Sequence, residues 1–490
     1  MARRMLLMGG INLLSAGRGI LLLPVLTRAL APRDFGLYTQ LVILLQVLVP
    51  VATLGLESAV LRYLAGEKDR TRLRPPITTT LAAALGGALA LAAGCWLLRG
   101  WLGERLFGTP GAGVAEELLL WVFPLLVLHA AGVLATGYFR AVERFAWYGA
   151  LTLVDALLYL LLAVLWAGPH GVPGVLWALA IGKGLVCLVG VGEIGRSTGI
   201  GGIRPGLLRS YLRFSLPILP GVFLYFCIQY GDRYVLLLYR PLEDVARYNA
   251  AYTFGGIVSL VFAPFFQVVT PRASALWNQG RRDEAGARLE QAMRYSVALV
   301  LPVLFGVAAF AGPVGRLYAP AALAVDRGTL AMITVAYALL MVRAWGRVVL
   351  TLEERSRTIL GIEAASVAAN LLLNLALVPS FGIAGAAAAT LLTFAAQLGA
   401  YGYLTRAHLR YGPQVVFALK GVAAAAAMVL AMRLVGAPDG PRAVACLAAG
   451  GLVWAGVLYL VGGVGPQEVR MLWGALPLAL RRRLPLAQPR

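Results

Sequence analysis

The sequence predicts an all-α polytopic membrane protein of about fourteen transmembrane helices, arranged as two six-helix lobes with two helices added at the end. Three observations predict it. The chain is 60% hydrophobic and 13% charged over 490 residues and its mean hydropathy is +0.79, whereas soluble domains are about half apolar and a quarter charged. Apolar stretches of about 20 residues, the length that crosses a bilayer core, recur along the whole chain. Short strings also recur at nearly one long offset, which signals an internal repeat.

The first element follows Met1 to Arg4 as an apolar run from Met5. Its length and lack of a small-residue cleavage site make it a retained helix and not a removed signal. Spans are expected near 5–30, 37–61, 77–98, 118–138, 148–167, 174–192, 214–239, 248–270, 295–315, 329–351, 359–378, 383–404, 416–436 and 443–461. Pro24, Pro50, Pro217, Pro220 and Pro264 are expected to interrupt the first, second, seventh and eighth of them. The longest outer loop runs from Arg99 to Glu117, too short for an extramembrane domain.

The repeat appears in two pairs. Asp34-Phe-Gly-Leu-Tyr38 matches Asp244-Val-Ala-Arg-Tyr248, and Gly171-Val-Pro-Gly174 matches Gly382-Ile-Ala-Gly385. Six helices per copy give both copies the same orientation, hence a pseudo-two-fold along the membrane normal with a cavity between the lobes. The expected division is 1–195 and 196–410 for the lobes, 411–465 for the added pair and 466–490 for a basic tail.

The formal net charge of +21 comes from 43 Lys and Arg against 22 Asp and Glu. The basic residues do not cluster as a nucleic-acid face; they recur between apolar segments, in Lys68–Arg74, Arg196–Arg213, Arg272–Arg294 and Arg481–Arg483. The positive-inside rule then puts both termini in the cytoplasm. Cys95, Cys187, Cys227 and Cys446 sit in apolar runs without paired spacing, and His129, His170 and His408 are scattered. No metal centre, Walker loop or Asp-x-Asp pair is present, so an enzyme is not expected.

Ionisable groups at bilayer depth are costly and therefore informative. Arg18 lies mid-way along the first helix beside Asn12, and reads either as a cavity-lining cation or as a partner of Glu57 or Asp155. Arg28, Arg62, Lys183, Arg343, Arg347 and Arg433 lie nearer helix ends, where the stem can carry the charge to the interface. Asp232 and Arg233 close the seventh helix as a gate or an interfacial pair. Asn370 and Asn374 share one face of the eleventh helix within reach of Thr390 on the twelfth, a set of oxygens suited to a small cation or to interhelical hydrogen bonds.

Longer strings carry a family resemblance: LPVLTRALAPRDFGLY from Leu23, LGLESAVLRYLAGE from Leu54, FRAVERF from Phe139, YLRFSLPILPG from Tyr211, DRYVLLLY from Asp232 and NLLLNLALVPSFGIAGAAAAT from Asn370. In order and spacing, over roughly residues 1–410, they resemble the polysaccharide transporter branch of the multidrug/oligosaccharidyl-lipid/polysaccharide (MOP) exporter superfamily, which includes the Wzx-type flippases. The resemblance implies the MOP exporter fold in the bacterial inner membrane. It also implies alternating-access transfer of an undecaprenyl-pyrophosphate-linked oligosaccharide to the periplasmic leaflet, for O-antigen, capsule or exopolysaccharide, alongside membrane lipids and polysaccharide polymerase or assembly proteins.

Related lipid II flippases use arginines of the first lobe for the pyrophosphate. That role carries over by position to Arg18 and Arg28, with Asn12 and Arg62 completing the expected headgroup set. A sodium site in that branch carries over to Asp232, Asn370, Asn374 and Thr390, with Asn374 standing where a carboxylate is expected; coupling to sodium or to protons stays open, and no cofactor is implied. The same superfamily also contains cation-coupled drug or metabolite antiporters, for which Asp155, Asp232 and Glu363 are the carboxylates to weigh. A membrane polymerase or ligase would need catalytic groups in a large outer loop, and Arg99–Glu117 offers few.

Overall fold

The computed structural model describes residues 17–107, 112–310, 320–435 and 441–463, and among these all regular structure is helical. The first half holds α1 (17–29), α2 (Pro32–Ala52), α3 (Leu56–Tyr63), α4 (Arg70–Leu97), α5 (Arg99–Phe107), α6 (Ala112–Leu119), α7 (Val122–Ala141) and α8 (Phe145–Ser197). The second half holds α9 (Pro205–Ser215), α10 (Leu219–Tyr239), α11 (Leu242–Gly255), α12 (Ile257–Asn278), α13 (Arg282–Phe310), α14 (Arg327–Leu352) and α15 (Ser356–Thr405). It is followed by α16 (Gly412–Val435) and α17 (Pro441–Leu460).

Eight helices among the described residues are long and apolar enough to cross a membrane, nine if the bent pair Leu242–Leu260 and Phe265–Asn278, which meet at 48°, is one span. Two of the eight, α8 and α15, are 53 and 50 residues long. At 1.5 Å per residue each would run about 75–80 Å, more than twice the hydrocarbon thickness, so each has to turn back. The turns fall at Gly171 (φ 59, ψ −142) and Gly382 (φ 55, ψ −128), conformations that a Cβ disfavours.

Contacts across the turns show antiparallel arms: Lys183 reaches Asp155, and Tyr401 and Gln397 reach Glu363. Just past each turn the arms touch through a glycine. A Cβ on Gly174 would fall 2.4 Å from the Trp166 carbonyl oxygen, and one on Gly385 would fall 2.5 Å from that of Leu377. Gly174→Ala and Gly385→Ala are each expected to cost about 1–3 kcal/mol through this overlap. Thermal unfolding in detergent should register a lower Tm for both, and none for Gly168→Ala, where a Cβ would meet nothing within 4 Å.

The halves repeat in geometry as in sequence. Glu143 (φ 57) and Glu354 (φ 58), which occupy matching places before α8 and α15, share the left-handed conformation. Where the copies meet, α2 crosses α11. A Cβ on Gly36 would lie 2.7 Å from the Leu242 carbonyl oxygen, so only glycine permits this approach. Next to it, Asn249 Nδ2 donates to Thr39 Oγ1 at 3.3 Å. The two residues occupy equivalent places in the repeat.

The buried core of the first half joins Leu22 and Leu26 of α1 to Leu37, Leu41, Leu126 and Val175. That of the second half gathers Leu236, Tyr248, Ile333 and Ala386, and α16 and α17 pack on α13 through Phe417, Ala424 and Leu458. Large side chains such as Leu161, Leu188, Leu372, Leu419 and Leu434 point outward, as expected where the surrounding medium is lipid.

Several expected boundaries move. The second span does not run unbroken to residue 61: α2 is helical through Pro50 and ends at Ala52, and Leu54 (φ 53) and Gly55 (φ 65) turn the chain into α3. The seventh begins as a separate helix, α9, joined to α10 by the 3-10 segment Leu216–Ile218 at Pro217. Pro24 does not interrupt α1, which is helical through it. Among the described residues, the stretch from Arg99 forms the short helices α5 and α6.

Candidate functional site: a cationic cavity between the halves

A cavity of about 380 Å³ opens where α1, α2 and α8 face α10, α11 and α14. Arg18 enters it from the first half and Arg233 from the second, among Tyr38, Tyr159, Gln229, Tyr230, Asn249, Tyr252 and Tyr337.

Arg18 Nη1 lies 3.2 Å from Asp155 Oδ2, and Lys183 Nζ lies 2.8 Å from the same oxygen. Two cations thus share one carboxylate, leaving this corner with about one unit of positive charge. The Arg18 guanidinium also stands 5.0 Å from the Tyr159 ring, whose hydroxyl is 2.5 Å from that of Tyr38. The two roles that the sequence leaves open for Arg18 therefore coexist: it lines the cavity and pairs with Asp155. Glu57 pairs instead with Arg140, at 2.7 Å.

Asp232 and Arg233 do not close a helix at the interface. They sit inside α10, 0% and 2% exposed, because this stretch of α10 packs against α11 and α15. Arg233 Nη1 donates to Asp232 Oδ1 at 3.1 Å and to the Gln229 carbonyl at 2.7 Å, and Nε donates to Asn249 Oδ1 at 3.3 Å. The rings of Tyr252 (4.6 Å), Tyr230 (5.2 Å) and Tyr248 (5.4 Å) surround the guanidinium. Such a cage keeps a low-dielectric cation bound.

The remaining expected site residues divide. Thr390 Oγ1 comes within 3.5 Å of Asp232 Oδ2, whose other partner is the Tyr248 hydroxyl at 2.5 Å. Asn374 Nδ2 donates to the backbone oxygen of Asn370 at 2.8 Å and to its Oδ1 at 3.1 Å, and Asn370 Nδ2 to Thr393. Asn374 Oδ1 is buried without a partner. No cluster of three or more His, Cys, Asp or Glu that could hold a metal occurs among the described residues.

Arg28 and Arg62 are exposed and do not line this cavity; Arg62 lies over Phe214, 4.6 Å from the ring centroid. Asn12 lies outside the described residues. Arg343 does not snorkel to an interface: it is 4% exposed and bound to Glu363 at 3.1 Å, since α15 lies over it. Lys183 is likewise held inward by Asp155. Five tyrosines, Tyr38, Tyr159, Tyr230, Tyr252 and Tyr337, stand in the cavity wall, and of these only Tyr38 falls within a repeated string, so the sequence carries little signal for them.

Two related halves of membrane-spanning helices around a cationic inter-lobe cavity define a multi-pass membrane protein with the fold of the MOP transporters. The lipid II flippase MurJ, in an inward-closed conformation, superposes with a TM-score of 0.76 at 12% identity, covering 94% of this chain and 99% of that one. An inward-facing multidrug resistance MATE family transporter of the MOP superfamily gives 0.67 at 14% identity, covering 80% and 94%. A MOP superfamily transporter from Pyrococcus furiosus, described by the reverse polarity of its binding pocket, gives 0.55 at 16%, covering 82% and 94%. No curated protein sequence matches the chain. The family model described as polysaccharide biosynthesis protein matches residues 2–277, more than half of the chain, and the protein belongs to that family.

Proposed function

We propose that this protein is a flippase that moves an undecaprenyl-diphosphate-linked oligosaccharide from the cytoplasmic to the periplasmic leaflet of the inner membrane by alternating access, with both termini in the cytoplasm. The observation that carries this reading is the presence of Arg18 and Arg233, one from each half, in one cavity. A diphosphate is the headgroup that two guanidinium groups bind best, through charge-assisted hydrogen bonds. Arg18 shares its counter-ion with Lys183, so a phosphate completes its neutralisation.

Rocking of the halves about the Thr39–Asn249 contact would alternate access to the cavity, while the polyprenyl chain stays in lipid. The membrane lipids, and polymerase or assembly proteins that receive the product, are the expected partners. Coupling to sodium or protons fits best at Asp232, Thr390, Asn370 and Asn374, where the orphan Asn374 oxygen is a spare ligand; a cation there has to compete with Arg233.

A cation-coupled drug antiporter of the same fold is the competing reading. It needs an uncompensated buried carboxylate, yet Asp155, Asp232 and Glu363 each have an Arg or Lys nitrogen within 3.1 Å. This favours the anionic substrate. Flipping of a fluorescent undecaprenyl-diphosphate oligosaccharide in proteoliposomes, with and without a sodium or proton gradient, tests the proposal. Gradient-driven export of small cationic drugs by the same vesicles, without lipid flipping, would replace it with the antiporter.

A further inference from the structure

A second cavity, of about 280 Å³, adjoins the first on the side of the α2–α3 break. Its polar lining is Gln46, Thr53, Glu57, Ser58 and His129, and one wall is the ring of Phe226. Two links join it to the arginine cavity. Gln46 lines both and accepts a hydrogen bond from Tyr230 at 2.7 Å. Phe226 of the second cavity stacks on Tyr230 of the first, 5.9 Å apart and 20° from parallel.

The chemistry of the two cavities differs. The first is cationic and rich in tyrosine. The second offers a carboxylate, an amide, two hydroxyls and an imidazole over a largely apolar wall, which suits a ligand that both donates and accepts hydrogen bonds and presents a C–H face to a ring. Glu57 is held at its outer edge by Arg140, 2.7 Å away, with both side chains about one-third exposed, so the carboxylate is fixed in position and still reachable. The Leu54–Gly55 turn brings it there: Gly55 adopts φ 65, and Ser215 donates to the Leu54 carbonyl at 2.8 Å, holding the turn against the second half.

We propose that this second cavity is a glycan subsite that takes the neutral sugar ring nearest the diphosphate, with Glu57 and Gln46 reading its hydroxyls and Phe226 its apolar face. The inference rests on the diphosphate reading of the first cavity and adds to it the determinant of headgroup preference. A sugar linked to a diphosphate held at Arg18 and Arg233 extends past Gln46 into this space. An acidic sugar is disfavoured by Glu57.

The test is binding of three probes to the purified full chain in nanodiscs: undecaprenyl diphosphate, and the same lipid carrying N-acetylglucosamine or galactose. Wild type is expected to bind at least one sugar-bearing lipid about tenfold tighter than the bare one. Glu57→Gln and Phe226→Leu should each abolish that preference, whereas Arg18→Gln should weaken all three probes. Equal binding of the three by wild type, or a preference that survives in Phe226→Leu, overturns the subsite and leaves the diphosphate site standing. No binding of any probe by wild type overturns the diphosphate reading itself. Retained binding of the bare lipid separates lost recognition from lost folding in either variant.

Discussion

Arg18→Ala is expected to slow flipping of a diphosphate-linked lipid by roughly ten- to a hundredfold, the loss that follows from removing a charge-assisted hydrogen bond of about 1.5–3 kcal/mol. Arg18→Glu should go further, because Asp155 would then face a second carboxylate with only Lys183, 2.8 Å from Oδ2, to offset both. Initial flipping rates in proteoliposomes at matched protein density are the measurement. Folding should survive, since Asp155 keeps Lys183 and the Arg18 side chain is 27% exposed. An Arg18→Glu protein that still flips at the wild-type rate would remove this arginine from the mechanism.

Asp232→Asn is expected to destabilise the protein by about 3–5 kcal/mol, because it leaves the Arg233 guanidinium, 2% exposed, without its buried counter-charge. The remaining partners of Arg233, the Gln229 carbonyl and Asn249 Oδ1, are neutral dipoles and offset only part of that cost. The double variant Asp232→Asn with Arg233→Gln should recover most of the loss, since two neutral polar groups cost less to bury than one charge. Thermal unfolding of detergent-purified single and double variants closes the cycle. If the double variant is no more stable than Asp232→Asn alone, the pair is not the source of the effect. Because the double variant also removes an arginine from the cavity, it should fold and still flip poorly.

Much of the fold was legible in the sequence, for a simple reason. In lipid every backbone polar group has to be satisfied within a helix, so long apolar runs can form little else. The repeat was legible too, because Gly171 and Gly382 are needed for a left-handed turn, and Gly174 and Gly385 for the close approach behind it. These are backbone demands that a single residue type meets, and they leave a mark at a fixed offset. The breaks at Leu54–Gly55 and Leu216–Ile218 were less legible. Hydropathy continues through both; Pro217 signals the second, whereas the first is marked only by the left-handed backbone at Leu54 and Gly55.

The site was legible in its chemistry and less so in its arrangement. Arg18 stands out because a charge in the middle of an apolar helix is costly, and Asp155 was one of two partners within reason. Arg233 and Arg343 look from the sequence like residues near helix ends. Their burial depends on which neighbours cover them, α11 and its tyrosines in one case and α15 in the other, and hydropathy along a single helix carries no information about that.

The sequence by itself determined the medium, the class of secondary structure, the internal repeat and the identity of the costly charges, since each is fixed by local composition or by a backbone constraint. The tertiary structure alone decided which charges meet. Asp155 is shared by Arg18 and Lys183 from different helices, Arg233 faces Arg18 across the two halves, and Gln46 separates two cavities of different chemistry. These relations arise where α2 crosses α11 and where α8 folds back on itself, and pairing across distant segments is set by packing that no local stretch of residues encodes.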